Sequence, residues 1–282
     1  MKEKHAFLII AHKDNQSFRT LIKMLDYPLN DIYIHFDIKS KLTFKNSIIG
    51  TIKYSKVYFT SQRIDVRWAH YSQVQAEYVL FEEAFKKKYE YYHLISGEDL
   101  PIKSQDYIHE FFKNHSDKEF IGFCDDFNDS RIRYKYIFPK HLRSKNRVIS
   151  QLRKTALFIQ KYTNKKTFPF ILKKGTNWVS VSHAFVEELL KHKEYVLSSF
   201  KYSKSLDEFY KQTIAYNSKF RERIYCINDE YESSMRLIDW ERGGPYNWTI
   251  DDFDEICQSN KLFCRKITDP KLIDAIYKKY SL

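Results

Sequence analysis

Short apolar runs alternate with stretches of helical periodicity over the first 125 residues. HAFLIIAH, near the start, is an apolar run closed by a polar residue, as expected of a buried parallel strand. Between Asp14 and Asp26, Phe18, Leu21, Ile22 and Leu25 fall on one helical face. DIYIHFD (31–37) and VYFTS (57–61) read as two further strands. From Ser72 to Lys88 apolar residues recur at Val74, Tyr78, Phe81 and Phe85, in steps of four, three and four, which predicts a helix. YYHLIS (91–96) is the next strand, 104–114 a helix with Ser104 as N-cap, and EFIGF (119–123) another strand. This alternation predicts an α/β fold with an open, mostly parallel sheet, in which ligands lie beyond the carboxyl ends of the strands. Those ends carry His12, Lys13 and Asp14, His35 with Asp37, and Gly97, Glu98 and Asp99.

The second half is less regular. TNWVSVS (176–182) predicts a strand and HAFVEELLKH a helix after it. Helices are also expected over Ser205–Tyr216, over Asp251–Gln258 behind a Thr249/Asp252 capping box, and over 271–280. We expect one domain over residues 1–282, with a nucleotide-binding half (1–125) and an acceptor and catalytic half (126–282).

Composition narrows the function classes. A formal charge of +12 favours an anionic partner: nucleic acid, a phosphorylated ligand or an acidic membrane surface. A merely solvated lysine-rich surface is the plain alternative. No run approaches the roughly 20 apolar residues of a spanning helix, so a soluble protein, able to sit peripherally at a membrane, is expected. Cys124, Cys226, Cys257 and Cys264 show no zinc-like spacing and read as reduced thiols.

There is no GxGxxG, P-loop or GxSxG. Asp125–Asp126 could hold a divalent cation or simply turn a loop, and the turn is the commoner use. Arg131–Arg153, rich in Arg, Lys and Tyr, could bind nucleic acid phosphates and bases, sugars, or only water. Arg265 and Lys266 are adjacent cations able to neutralise a diphosphate or to form an ordinary surface pair. In SKSLDEFYKQT, Ser205 and Glu208 have capping-box spacing, so Glu208 is expected either to start a helix or to take a proton, and one role does not bar the other. No second carboxylate presents itself by spacing for glycoside hydrolysis.

Several segments occur together and in order: LIIAHKD, IYIHFDIKS, VRWAHYSQVQAEYVLFEEA, YYHLISGEDLPIKS, KGTNWVSVSHAFVEELL, SLDEFYKQT and KLFCRKI. The set resembles the core-2/I-branching glycosyltransferase family, which includes the peptide O-xylosyltransferases, from about Phe7 to Lys266. The resemblance implies a GT-A-like fold and an inverting transfer from a UDP-sugar, with GlcNAc or xylose as the sugar, without a metal or other cofactor. It implies Glu208 as catalytic base. It places Arg265 and Lys266 on the diphosphate, Asp37 near the nucleoside, Asp99 and Trp178 in the donor pocket, and Arg242 as a further diphosphate contact. Arg131, Arg133 and Tyr134 fall where relatives bind acceptor. Lacking the anchor and disulfides of the animal enzymes, the chain resembles a bacterial, cytoplasmic version. Such a version would act on a glycan or lipid-linked oligosaccharide in surface polysaccharide synthesis at the inner membrane face. No nucleic acid partner is expected on this reading; nucleic-acid binding through 131–153 is the alternative.

Overall fold

The structure is a computed structural model that describes residues 4–41, 45–142, 144–163 and 167–281. Its main sheet has five strands: β1 (His5–Ala11), β2 (Asn30–Phe36), β3 (Lys56–Phe59), β4 (Tyr91–Ser96) and β6 (Ser180–Ser182). They lie in the order β3-β2-β1-β4-β6, the first four parallel and β6 antiparallel to β4. A smaller sheet joins β5 (Asp99–Pro101), β8 (Phe263–Arg265) and β7 (Arg236–Ile238), in that order.

The period-two geometry of a strand explains why these apolar runs are continuous. Phe7 and Ile9 of β1, with Ile32, Ile34 and Phe36 of β2, face one core, closed by the helices Gln16–Met24, Gln105–Asn114 and Pro270–Tyr280. Ala6, Leu8 and Tyr33 face the other, closed by Ser72–Phe85 and His183–Lys191. Both faces are covered, so no polar alternation is needed. The helix ends follow side-chain chemistry. Ser104 Oγ accepts the Tyr107 N–H, and the predicted Thr249/Asp252 capping box forms.

Three expectations shrink or fail. EFIGF is not a strand: Glu119 and Phe120 make single bridges to Ile224 and Ser180. Gly122 and Gly175 then cross so tightly that a Cβ on Gly175 would lie 1.8 Å from the Gly122 carbonyl oxygen, leaving no room for regular pairing. TNWVSVS contributes only Ser180–Ser182, the part that lies against β4. The helix expected over Ser205–Tyr216 is broken into a 3-10 turn, Leu206–Glu208, and an α-helix, Tyr210–Tyr216.

Candidate active site

The Ser205/Glu208 capping box does not form. Ser205 holds a left-handed backbone (φ 53°, ψ 48°) and its side chain caps nothing. Its N–H, the donor a capping Glu208 would accept, is given to the Ala69 carbonyl at 2.8 Å. The Glu208 carboxylate turns instead to two cations. Its Oε2 lies 3.1 Å from Arg131 Nη1 and 3.6 Å from Lys174 Nζ, and the side chain is 31% exposed. Among the described residues its Oε1 accepts no hydrogen bond. The Gly175 N–H holds the Glu208 carbonyl at 2.9 Å, tying the loop to the glycine crossing.

Beneath this carboxylate lies buried charge. Lys211 Nζ donates to Glu77 Oε2 (2.7 Å), Asn177 Oδ1 (2.6 Å) and the Asp207 carbonyl (3.1 Å). The Tyr210 hydroxyl donates to the same Glu77 oxygen at 2.7 Å. The Lys211 and Glu77 side chains are fully buried; burial lowers the Lys211 pKa, and Glu77 opposes that shift. Among the described residues Asp207 Oδ1 is buried with no hydrogen-bond partner. Burial, then the negative charges of Glu77 and Glu208, push the Asp207 carboxyl up to about 7. Burial likewise raises Glu230, which lies close enough to feel both Lys174 and Glu208.

At the carboxyl ends of β1, β2 and β4 a second cluster forms. Burial lowers the His12 pKa, and the charges of Glu98, Lys13, Asp37 and Lys266 all act on it, so these groups share one neighbourhood. Asp99 accepts the Ser96 N–H (2.9 Å) and hydroxyl (2.7 Å) and stands opposite Arg265 in the β5–β8 pairing, 3.2 Å from its Nη1. The Arg265 guanidinium lies 4.2 Å over the Trp178 ring. It is almost buried, and burial lowers its pKa against the pull of Asp99. Lys266 pairs with Glu98 at 3.3 Å and stays one-third exposed. Asp37 is nearly buried and accepts the N–H groups of Lys39 (2.8 Å) and Val66 (3.1 Å), which shapes its own loop.

Asp99, Trp178, Arg265 and Lys266 therefore meet, with Asp37 beside them. Arg242 is held otherwise: its guanidinium bonds Asp239, Asp252 (2.9 Å) and Glu255 (3.1 Å) and lies over the Tyr246 and Trp248 rings. Of the three residues expected to meet an acceptor, only Arg131 pairs with Glu208. Arg133 pairs with Asp129 and lies 5.7 Å over the Phe168 ring, while Tyr134 follows the short helix Ser130–Arg133, half-buried. Asp125 pairs with Lys173 at an exposed edge, and among the described residues no three His, Cys, Asp or Glu side chains are grouped to hold a metal ion.

Lys174, Glu77, Asp207, Lys211 and Glu230 escaped the sequence reading. One signal was legible. Glu77 is an acid among Ala76, Tyr78 and Val79 on a helix packed into the core, a position that demands a buried cation. An apolar cavity of about 390 Å³ lies behind the loop, lined by Ile132, Phe170, Val196, Phe200, Leu206 and Phe209. None of the predicted site residues lines it.

Comparison with known proteins places the sequence as follows. The human beta-1,3-galactosyl-O-glycosyl-glycoprotein beta-1,6-N-acetylglucosaminyltransferase 3 is 24% identical over 95% of the chain. The chain spans 65% of that relative's length. A bovine herpesvirus 4 beta-1,3-galactosyl-O-glycosyl-glycoprotein beta-1,6-N-acetylglucosaminyltransferase is 28% identical over 35% of the chain and 23% of its own length. Among solved structures, mouse xyloside xylosyltransferase 1 covers 93% of the chain and 96% of its own at 11% identity and a TM-score of 0.37. Core-mannan synthase A from Aspergillus fumigatus, in its Mn/GDP form, covers 76% and 70% at 12% identity and a TM-score of 0.40. The sequence model of the Core-2/I-Branching enzyme family matches residues 5–268, and the chain belongs to that family.

Proposed function

We propose that the protein transfers a sugar from a UDP-sugar to a hydroxyl of a glycan, inverting the anomeric centre, with Glu208 as general base. The observation that carries this reading is the Glu208 carboxylate, released from capping and part-exposed between Arg131 and Lys174. The acceptor hydroxyl gives its proton to Glu208 as its oxygen attacks the anomeric carbon. The bond from that carbon to the diphosphate breaks on the opposite face, and UDP leaves with the electron pair. Arg265 and Lys266 stabilise that departing charge in place of a metal ion. Asp99 and Trp178 hold Arg265 in place for this, and Arg131 orients both Glu208 and the acceptor.

GlcNAc and xylose are the sugars to test first: a relative is named an N-acetylglucosaminyltransferase, and xylose follows from the resemblance of the sequence to the peptide O-xylosyltransferases. For the acceptor we favour a lipid-linked oligosaccharide met at an anionic membrane face, which suits the +12 charge. No described helix is long and apolar enough to cross a membrane. The deciding experiment is thermal stability with UDP in excess EDTA, against GDP and UMP, because a ligand of the folded state raises the melting point. A shift selective for UDP supports the donor site. A shift that needs added manganese removes the metal-free mechanism, and no shift in either condition removes the UDP-sugar reading.

A further inference from the structure

The helix Arg147–Thr163 differs from the other long helices of the fold: none of its 17 residues is buried. Val148 (66% exposed), Leu152 (49%), Ile159 (53%) and Tyr162 (71%) succeed one another in steps of four, seven and three, which sets them on one stripe. Phe158 (63%) widens it, its ring 5.1 Å from that of Tyr162. Arg147, Lys154 and Lys161 recur every seven residues and so form a second line beside the apolar one. The helix contains no Asp or Glu. A third face holds it to the body. Gln160 bonds the Lys135 backbone in both directions (2.8 and 2.9 Å), and Arg153 donates to the Leu142 carbonyl at 3.2 Å.

We propose that this helix lies in the plane of an anionic membrane, with Val148, Leu152, Phe158, Ile159 and Tyr162 in the acyl boundary and Arg147, Lys154 and Lys161 among the lipid phosphates. Charge complementarity selects this occupant. A row of cations with no acid between them, alongside an apolar stripe, matches a layer of anionic headgroups over hydrocarbon. The helix is roughly 25 Å long and would rest on the surface without crossing it. Its tether, Lys135, lies four residues beyond Arg131, the partner of Glu208, so docking would bring the candidate acceptor side to the lipid surface. The inference deepens the lipid-linked acceptor reading, but it is read by binding rather than by transfer. Vesicle binding without sugar transfer would keep the membrane surface and remove the acceptor reading.

The test is flotation of the whole protein with phosphatidylcholine vesicles, plain or carrying roughly one-third phosphatidylglycerol. We expect binding to the anionic vesicles alone. Joint Arg147→Glu, Lys154→Glu and Lys161→Glu substitution should weaken it by about 100-fold or more, since each lost cation costs roughly fivefold. Joint Leu152→Ser, Phe158→Ser and Ile159→Ser substitution should abolish flotation. All six residues are exposed or lie on the helix exterior, so the melting temperature should hold and separates lost docking from lost folding. Undiminished flotation of either variant overturns the proposal. So does a dimer in solution that the serine variant dissociates, or RNA binding lost in the charge variant without vesicle binding in the parent.

Discussion

The backbone N–H of Ser205 donates to the carbonyl of Ala69 at 2.8 Å, and both residues hold left-handed backbone, φ 53° and 58°. This bond joins the Glu208 loop to the turn before the helix Ser72–Phe85 and removes the donor that Glu208 would otherwise cap. Glu208→Gln is therefore expected to cost less than the ~1 kcal/mol of a lost cap. On the same sample, transfer from the accepted UDP-sugar should fall by roughly 10²–10⁴-fold. Melting curves and turnover together check this; a full cap's loss of stability with the rate preserved would return Glu208 to a structural role.

The two cations proposed to hold the diphosphate, Arg265 and Lys266, should respond differently to truncation. Lys266 is one-third exposed, so Lys266→Ala should weaken UDP binding by about tenfold with little loss of stability. Arg265→Ala instead leaves the buried Asp99 without its counter-cation, held only by the Ser96 N–H and hydroxyl, at roughly 3–5 kcal/mol. Calorimetric titration of Lys266→Ala with UDP reads the first effect. An unchanged affinity would place the diphosphate elsewhere.

Lys211 and Glu77 are fully buried partners at 2.7 Å, and each supports the other. Lys211→Met should destabilise by roughly 3–5 kcal/mol, and adding Glu77→Gln should restore much of it, because the second change removes the stranded charge. Urea unfolding of the singles and the double closes the cycle. Strictly additive losses would show that the pair is not coupled.

Asp207 gives a pH signature. Burial raises its folded pKa to about 7, above the ~3.9 of an unfolded chain. The stability it contributes is whole below about pH 4 and is lost as pH rises from there through about 7, because over that range the folded site keeps a proton that the unfolded chain has released. Asp207→Asn has no such loss, so its stability relative to the parent should climb between about pH 4 and pH 7 and level off above. Urea midpoints across that range measure it, and a flat difference would mean Asp207 is ionised throughout.

The strands β1, β2 and β4 and the helix Ser72–Phe85 were legible because their side chains repeat with the periods of the elements themselves. Glu119–Phe123 has strand composition, but whether a run pairs depends on what reaches it, and here the Gly122–Gly175 crossing takes that space. The Glu208 loop shows the same limit. Ser-x-x-Glu spacing is local, whereas the Ala69 carbonyl that defeats it comes from more than a hundred residues away. Arg265 and Lys266 were legible as a pair. Their opposite fates, one almost buried between Asp99 and Trp178 and one exposed, arise from the β5–β8 pairing.

The place of β6 bears on how this chain could be re-engineered. Residues 180–182 complete the main sheet along β4, so the first half of the chain borrows its last strand from the second half. A fragment cut near residue 125 would bare the β4 edge and invite non-native pairing. On the proposed function, donor and acceptor preferences could not be exchanged between relatives as two cassettes joined at the midpoint. A chimera would have to carry Ser180–Ser182 with the first half, or rebuild the edge it leaves behind.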